Sequence, residues 1–174
     1  MSRLAGRNSA MRMPLVSVSQ ALAALVVLAV GMAVYLLDRQ PDDVYLMAPW
    51  MASSEGSGLS FGALGSFLPT FTHVYCFILL TAACVAPSRV QAFWIVVLWF
   101  VFDSILELAQ MDAIAGAIAN HLPTWFESVP LLNNTAAYFL AGTCDVIDLA
   151  SIAMGAVAAY LTIVITQEKT WRNN

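Results

Sequence analysis

The sequence predicts an all-α integral membrane protein, a four-transmembrane-helix bundle with a short interfacial helix in its second outer loop. Composition is the first reason: the chain of 174 residues is 60% hydrophobic and 10% charged. Mean hydropathy is the second, at +0.78. The third is run length, because the apolar stretches approach the ~20 residues that a helix needs to cross a hydrocarbon core. Little is left outside them. The chain therefore reads as one transmembrane domain over residues 14–166, with short tails at 1–13 and 167–174.

The first span is expected over 14–37. Arg3, Arg7 and Arg12 precede the apolar run Ala21–Leu37, as in a signal sequence. No small-residue cleavage pattern follows, so Leu36-Leu37-Asp38-Arg39 reads as the end of a retained anchor. A polar-to-mixed loop, Asp38–Ser66, comes next, with its flexible part at Ser53–Gly58. Within it, Tyr45–Met51 is apolar enough to lie on a membrane surface or to pack as loop. The second span is expected over 68–86, stopped by Pro87, with a tight turn at Pro87–Gln91. The third, over 92–110, is rich in Trp and Phe. The loop Met111–Asn134 holds the expected interfacial helix at Ala113–Leu122, with Trp125 and Phe126 as interface anchors. The fourth helix is expected to run unbroken over 135–166.

Four spans put both termini on the side of the Pro87–Gln91 turn. That side carries Arg3, Arg7, Arg12, Arg89, Lys169 and Arg172, six of the seven basic residues, and leaves Arg39 for the other. The positive-inside bias makes the termini cytoplasmic and turns the two long loops outward.

Several classes are disfavoured. A net charge of −4 with seven basic residues is no nucleic-acid signature. The three cysteines, Cys76, Cys84 and Cys144, are odd in number and form no C-x-x-C pair, so they read as small apolar residues. There is no G-x-S-x-G elbow, no phosphate loop following a strand and no H-x-x-x-H metal spacing, and no cofactor is implied. His121 reads as a solvated loop residue.

The informative residues are the polar ones inside the apolar runs: His73, Asp103, Glu107, Gln110, Asp145 and Asp148. A charge at the bilayer centre costs at least about 2.5–3.5 kcal/mol, so such residues usually serve a partner, a cavity or a site. Counted from the cytoplasmic helix ends at about 1.5 Å per residue, the six lie roughly 18–31 Å up, towards the outer leaflet. Asp103 and Glu107 are i, i+4; Glu107 and Gln110, and Asp145 and Asp148, are i, i+3, so each set shares a helix face. The last stripe continues to Gly155, where another helix can approach closely.

Carboxylates this close in a low dielectric cannot all be ionised. Such a set can move protons, act as acid and base, or order the bundle as a hydrogen-bonded network. His73 is the sole intramembrane His, which argues against a metal centre.

At these residues the chain resembles the VanZ-like family of small bacterial membrane proteins. His73-Val74-Tyr75-Cys76-Phe77-Ile78-Leu79-Leu80 is similar to the family's H-x-x-x-[FY]-x-x-L helix. Glu107-Leu108-Ala109-Gln110 matches its E-x-x-Q, and Asp145-Val146-Ile147-Asp148 with Gly155 matches its D-x-x-D helix. Ile152 stands where the family has an Asn, and Thr143 and Cys144 stand where it often has basic residues. The resemblance covers residues 67–161. It implies a multi-pass protein of the bacterial cytoplasmic (inner) membrane and a link to glycopeptide antibiotic resistance of the teicoplanin type.

Two readings of function stand side by side. In the first, an outer-leaflet carboxylate–His pocket binds or modifies a cell-envelope lipid or lipid-linked molecule. In the second, the chain is a non-catalytic accessory or structural subunit of a larger membrane complex, with Gly142, Ala150 and Gly155 at protein interfaces. Ion movement ranks below both, because no polar residue continues a path through spans two and three. The ligand, the occurrence of any reaction and the oligomeric state are left open.

Overall fold

Apolar runs and capping residues set the element order in the computed structural model, which describes residues 17–38, 61–130 and 132–172. Among these residues there are six α-helices and no strand: α1 Val18–Asp38, α2 Ala63–Val85, α3 Arg89–Leu108, α4 Asp112–His121, α5 Thr135–Ala141 and α6 Val146–Arg172. A 3-10 turn, Thr124–Ser128, links α4 to α5. Three helices are long and apolar enough to cross a membrane: α2, α3 and α6 up to Glu168. In α1 the apolar stretch Val18–Val34 is shorter. The expectations for residues 1–16 and for the loop segments Tyr45–Met51 and Ser53–Gly58 fall outside the described residues.

Helix α2 is the hub, packing against α1, α3 and α6. Its buried stripe of Val74, Ile78, Leu79, Ala82 and Ala83 meets Ala24 of α1 and Ile152, Ala156, Ala159 and Ile163 of α6. Small residues make the approaches close. A Cβ at Gly31 would lie 2.0 Å from the Thr72 hydroxyl, and one at Gly155 would lie 2.7 Å from the Phe71 carbonyl oxygen. Helices α1 and α2 run antiparallel, with the Ser17 N–H bonded to the Ala83 carbonyl at 3.0 Å and the Cys76 thiol to the Ala24 carbonyl at 3.0 Å. Helices α2 and α6 run parallel. Ser17 and Trp171 therefore lie at the same end, where the Trp171 indole donates to the Pro87 carbonyl at 2.9 Å.

Several expected boundaries move, each for a local reason. Helix α2 starts at Ala63, not Leu68: the Asp38 carboxylate accepts the Phe61 N–H at 2.5 Å, and the Ser66 hydroxyl bonds back to the Ala63 carbonyl at 2.8 Å. The turn after Pro87 is shorter than expected. Ser88 and Gln91 form a capping box that starts α3 at Arg89. Helix α3 stops at Leu108 rather than Gln110. Helix α4 matches the expected second-loop helix closely.

The expected unbroken fourth helix is instead two, α5 and α6, interrupted over residues 142–145. Gly142 is extended, and Asp145 accepts the Ile147 N–H at 2.9 Å, an N-cap bond that starts α6 afresh. At its other end α6 continues to Arg172, through residues assigned to the tail, because Gln167 is buried and Trp171 is docked.

Candidate functional site

The polar residues of the three long helices gather at the end of the bundle opposite Pro87, in two tiers. The upper tier lies where α3 ends and α6 begins. Glu107, one residue from the end of α3, is buried and accepts the Asp145 backbone N–H at 2.8 Å. Asp145 in turn caps Ile147. Negative groups here face the positive end of the α6 dipole, which offsets part of the cost of withdrawing them from water. Asp148, in the first turn of α6, accepts the Thr70 hydroxyl of α2 at 2.7 Å. Glu107 is within electrostatic reach of both Asp145 and Asp148. Three carboxylates from α3, the α5–α6 break and α6 thus share one place.

Cys144, in that break, reports on the group. Partial burial, then the nearby carboxylates of Glu107, Asp145 and Asp148, hold its thiol above the ordinary range.

The lower tier is one helical turn further in. Because α2 begins early, His73 sits near its middle, ten residues or roughly 15 Å from Ala63. Its Nδ1 lies 3.3 Å from Asp103 Oδ1. The two exposures differ: the His73 side chain is 48% exposed and that of Asp103 only 7%. Asp103 Oδ2 is buried with no hydrogen-bond partner. An orphaned carboxylate oxygen is uncommon, because leaving a buried acceptor unsatisfied costs about 1–3 kcal/mol.

The other expected residues separate by role. Gln110 turns towards α5, donating to the Tyr138 hydroxyl at 3.2 Å and lying against Gly142, where a Cβ would come within 2.2 Å of its Oε1. It braces the segment before the break. Gly155 is the close α2–α6 contact, as its place on the stripe suggests. Among the described residues, no three His, Cys, Asp or Glu side chains converge closely enough to hold a metal ion.

Thr70 and Cys144 are site residues that the sequence reading passes over. Thr70 is three residues before His73, on the same face of α2, so its spacing is a usable signal. A second polar group, at the Pro87 end, is also passed over. Fully buried Gln20 of α1 donates to the Thr166 hydroxyl at 2.7 Å and accepts from Gln167 at 3.4 Å.

Compared with known proteins, the chain matches no family model, no curated protein and no solved structure.

Proposed function

We propose that the chain is a four-span protein of the bacterial cytoplasmic membrane, with both termini cytoplasmic and the carboxylate end at the outer leaflet. In this reading α1 is the fourth span, and Glu107, Asp145, Asp148 and the His73–Asp103 pair bind a cell-envelope lipid or lipid-linked molecule. The observation that carries the reading is the convergence of three carboxylates from separate segments beside an unsatisfied Asp103 oxygen. Groups so costly at that depth are kept mainly where they meet a ligand. The order of the His73, Glu107–Gln110 and Asp145–Asp148 motifs supports a VanZ-like protein and, with it, a role in glycopeptide resistance.

Lipid extraction and mass spectrometry of the protein purified in mild detergent test this. Wild type is expected to carry a specific lipid. Glu107→Gln and Asp148→Asn keep the shape and the acceptor oxygens but remove charge. Both are expected to lose that lipid while eluting as folded protein. Full lipid retention in both variants, or a stoichiometric protein partner in place of lipid, contradicts the reading; the partner would favour the accessory-subunit role.

A further inference from the structure

The lower tier opens onto an apolar groove. His73 packs against Phe77 with ring centroids 4.5 Å apart, Phe77 against Trp99 at 5.0 Å, and Trp99 against Phe102 at 5.7 Å. These rings form a ribbon between α2 and α3 that runs from the His73–Asp103 pair towards the Pro87 end. Along it lies an open groove of about 310 Å³ lined by Leu98, Trp99 and Phe102. Trp99 is pinned there, its indole donating to the Thr81 hydroxyl at 3.0 Å. The groove is therefore preformed, and its head is an imidazole half exposed at hydrocarbon depth.

What can the head of the groove accept? A carboxylate beside Nδ1 of a neutral imidazole holds the ring proton on that nitrogen, leaving the Nε2 lone pair as acceptor. Among the described residues His73 has no other polar contact than Asp103. The occupant must then donate a hydrogen bond. It must also tolerate the acidic surroundings: Asp103, Glu107, Asp145 and Asp148 are close by, and no Arg or Lys is found at this end among the described residues. A phosphate would meet repulsion there. A partner protein helix would have to bury His73 without supplying a donor from its apolar face.

We infer that the α2–α3 groove binds the hydrocarbon chain of a lipid whose uncharged, hydroxyl-bearing headgroup donates to His73 Nε2. Asp103 is the positioning residue that fixes the imidazole. The inference rests on the membrane-spanning reading above and names a ligand class for it.

The test uses the full chain in phosphatidylcholine nanodiscs with two photoactivatable probes of equal chain length, a diazirine-bearing diacylglycerol and the matching phosphatidic acid. Peptide mapping is expected to place the diacylglycerol label on the segment holding Leu98, Trp99 and Phe102, above the phosphatidic acid label. Loss of one hydrogen bond in His73→Leu lowers the diacylglycerol signal about tenfold. Asp103→Asn, which leaves the groove intact, erases the preference between the two probes. Equal labelling by both probes, or unchanged labelling in His73→Leu, overturns the inference. So does a dominant crosslink to a second protein chain from a photoreactive residue placed at Leu98. If diacylglycerol labels as expected while Glu107→Gln keeps all its co-purified lipid, the groove stands and the carboxylate reading falls.

Discussion

Both ends of the helix bundle are polar, but with different chemistry. At the Pro87 end the groups are amides, hydroxyls and an indole. Gln20, Thr166, Gln167, Ser88, Gln91 and Trp171 each take part in a hydrogen bond there. The Arg89 guanidinium also lies over the Trp171 ring, 5.3 Å from its centroid. At the Asp148 end the groups are carboxylates and an imidazole, and a buried Asp103 oxygen has no partner. Neutral groups that satisfy one another fix helix register. Ionisable groups left short of partners are poor glue, because the desolvation they suffer is not returned. One end is thus built to hold the helices, and the other to meet something else.

The largest expected effect comes from a change that damages both ends together. Gly155→Val pushes a side chain into the Phe71 carbonyl and forces α2 from α6. It should destabilise the protein by about 3 kcal/mol, the upper range for overpacking, read as a lower melting temperature in detergent. A melt unchanged from wild type would mean that this seam is looser than described.

Gln20→Leu separates the ends. It leaves Thr166 and Gln167 without their buried partner and should cost about 2 kcal/mol of stability. Lipid bound per folded molecule should stay the same.

The smallest effect is kinetic and confined to the other end. The raised Cys144 thiol favours the neutral, unreactive form, so the thiolate is scarcer at a given pH than for an ordinary cysteine. Removing a neighbouring negative charge in Glu107→Gln or Asp148→Asn lowers the thiol back towards its usual range. Alkylation of Cys144 by iodoacetamide at pH 8, followed by peptide mapping, should then run faster than in wild type. Gln20→Leu should leave it unchanged. Slower alkylation in the carboxylate variants would show that the three acids do not surround this thiol.

The same contrast explains what the sequence could show. Hydropathy located α2, α3 and most of α6, because a long apolar run has few other solutions. Helical spacing put Asp103 with Glu107 and Asp145 with Asp148, and the structure brings Glu107, Asp145 and Asp148 together. What hydropathy could not register was the break at 142–145. The run Tyr138–Ala141 is as apolar as a span, and the signal lies in capping chemistry, Gly142 followed by Asp145, rather than in hydrophobicity. Gln20 escaped notice for the opposite reason: it sits at the start of an apolar helix, where one amide resembles a tolerated boundary residue. The pairing of His73 with Asp103 joins positions far apart in sequence, and only the antiparallel packing of α2 and α3 brings them face to face.

Native mass spectrometry of Gln20→Leu and Asp148→Asn, side by side with wild type, tests the division between the two ends most directly. The count is lipid retained per folded chain. The account predicts wild-type occupancy in Gln20→Leu, despite its lower stability, and loss of lipid in Asp148→Asn, despite its intact fold. Equal occupancy in the two variants, or loss confined to Gln20→Leu, would contradict it.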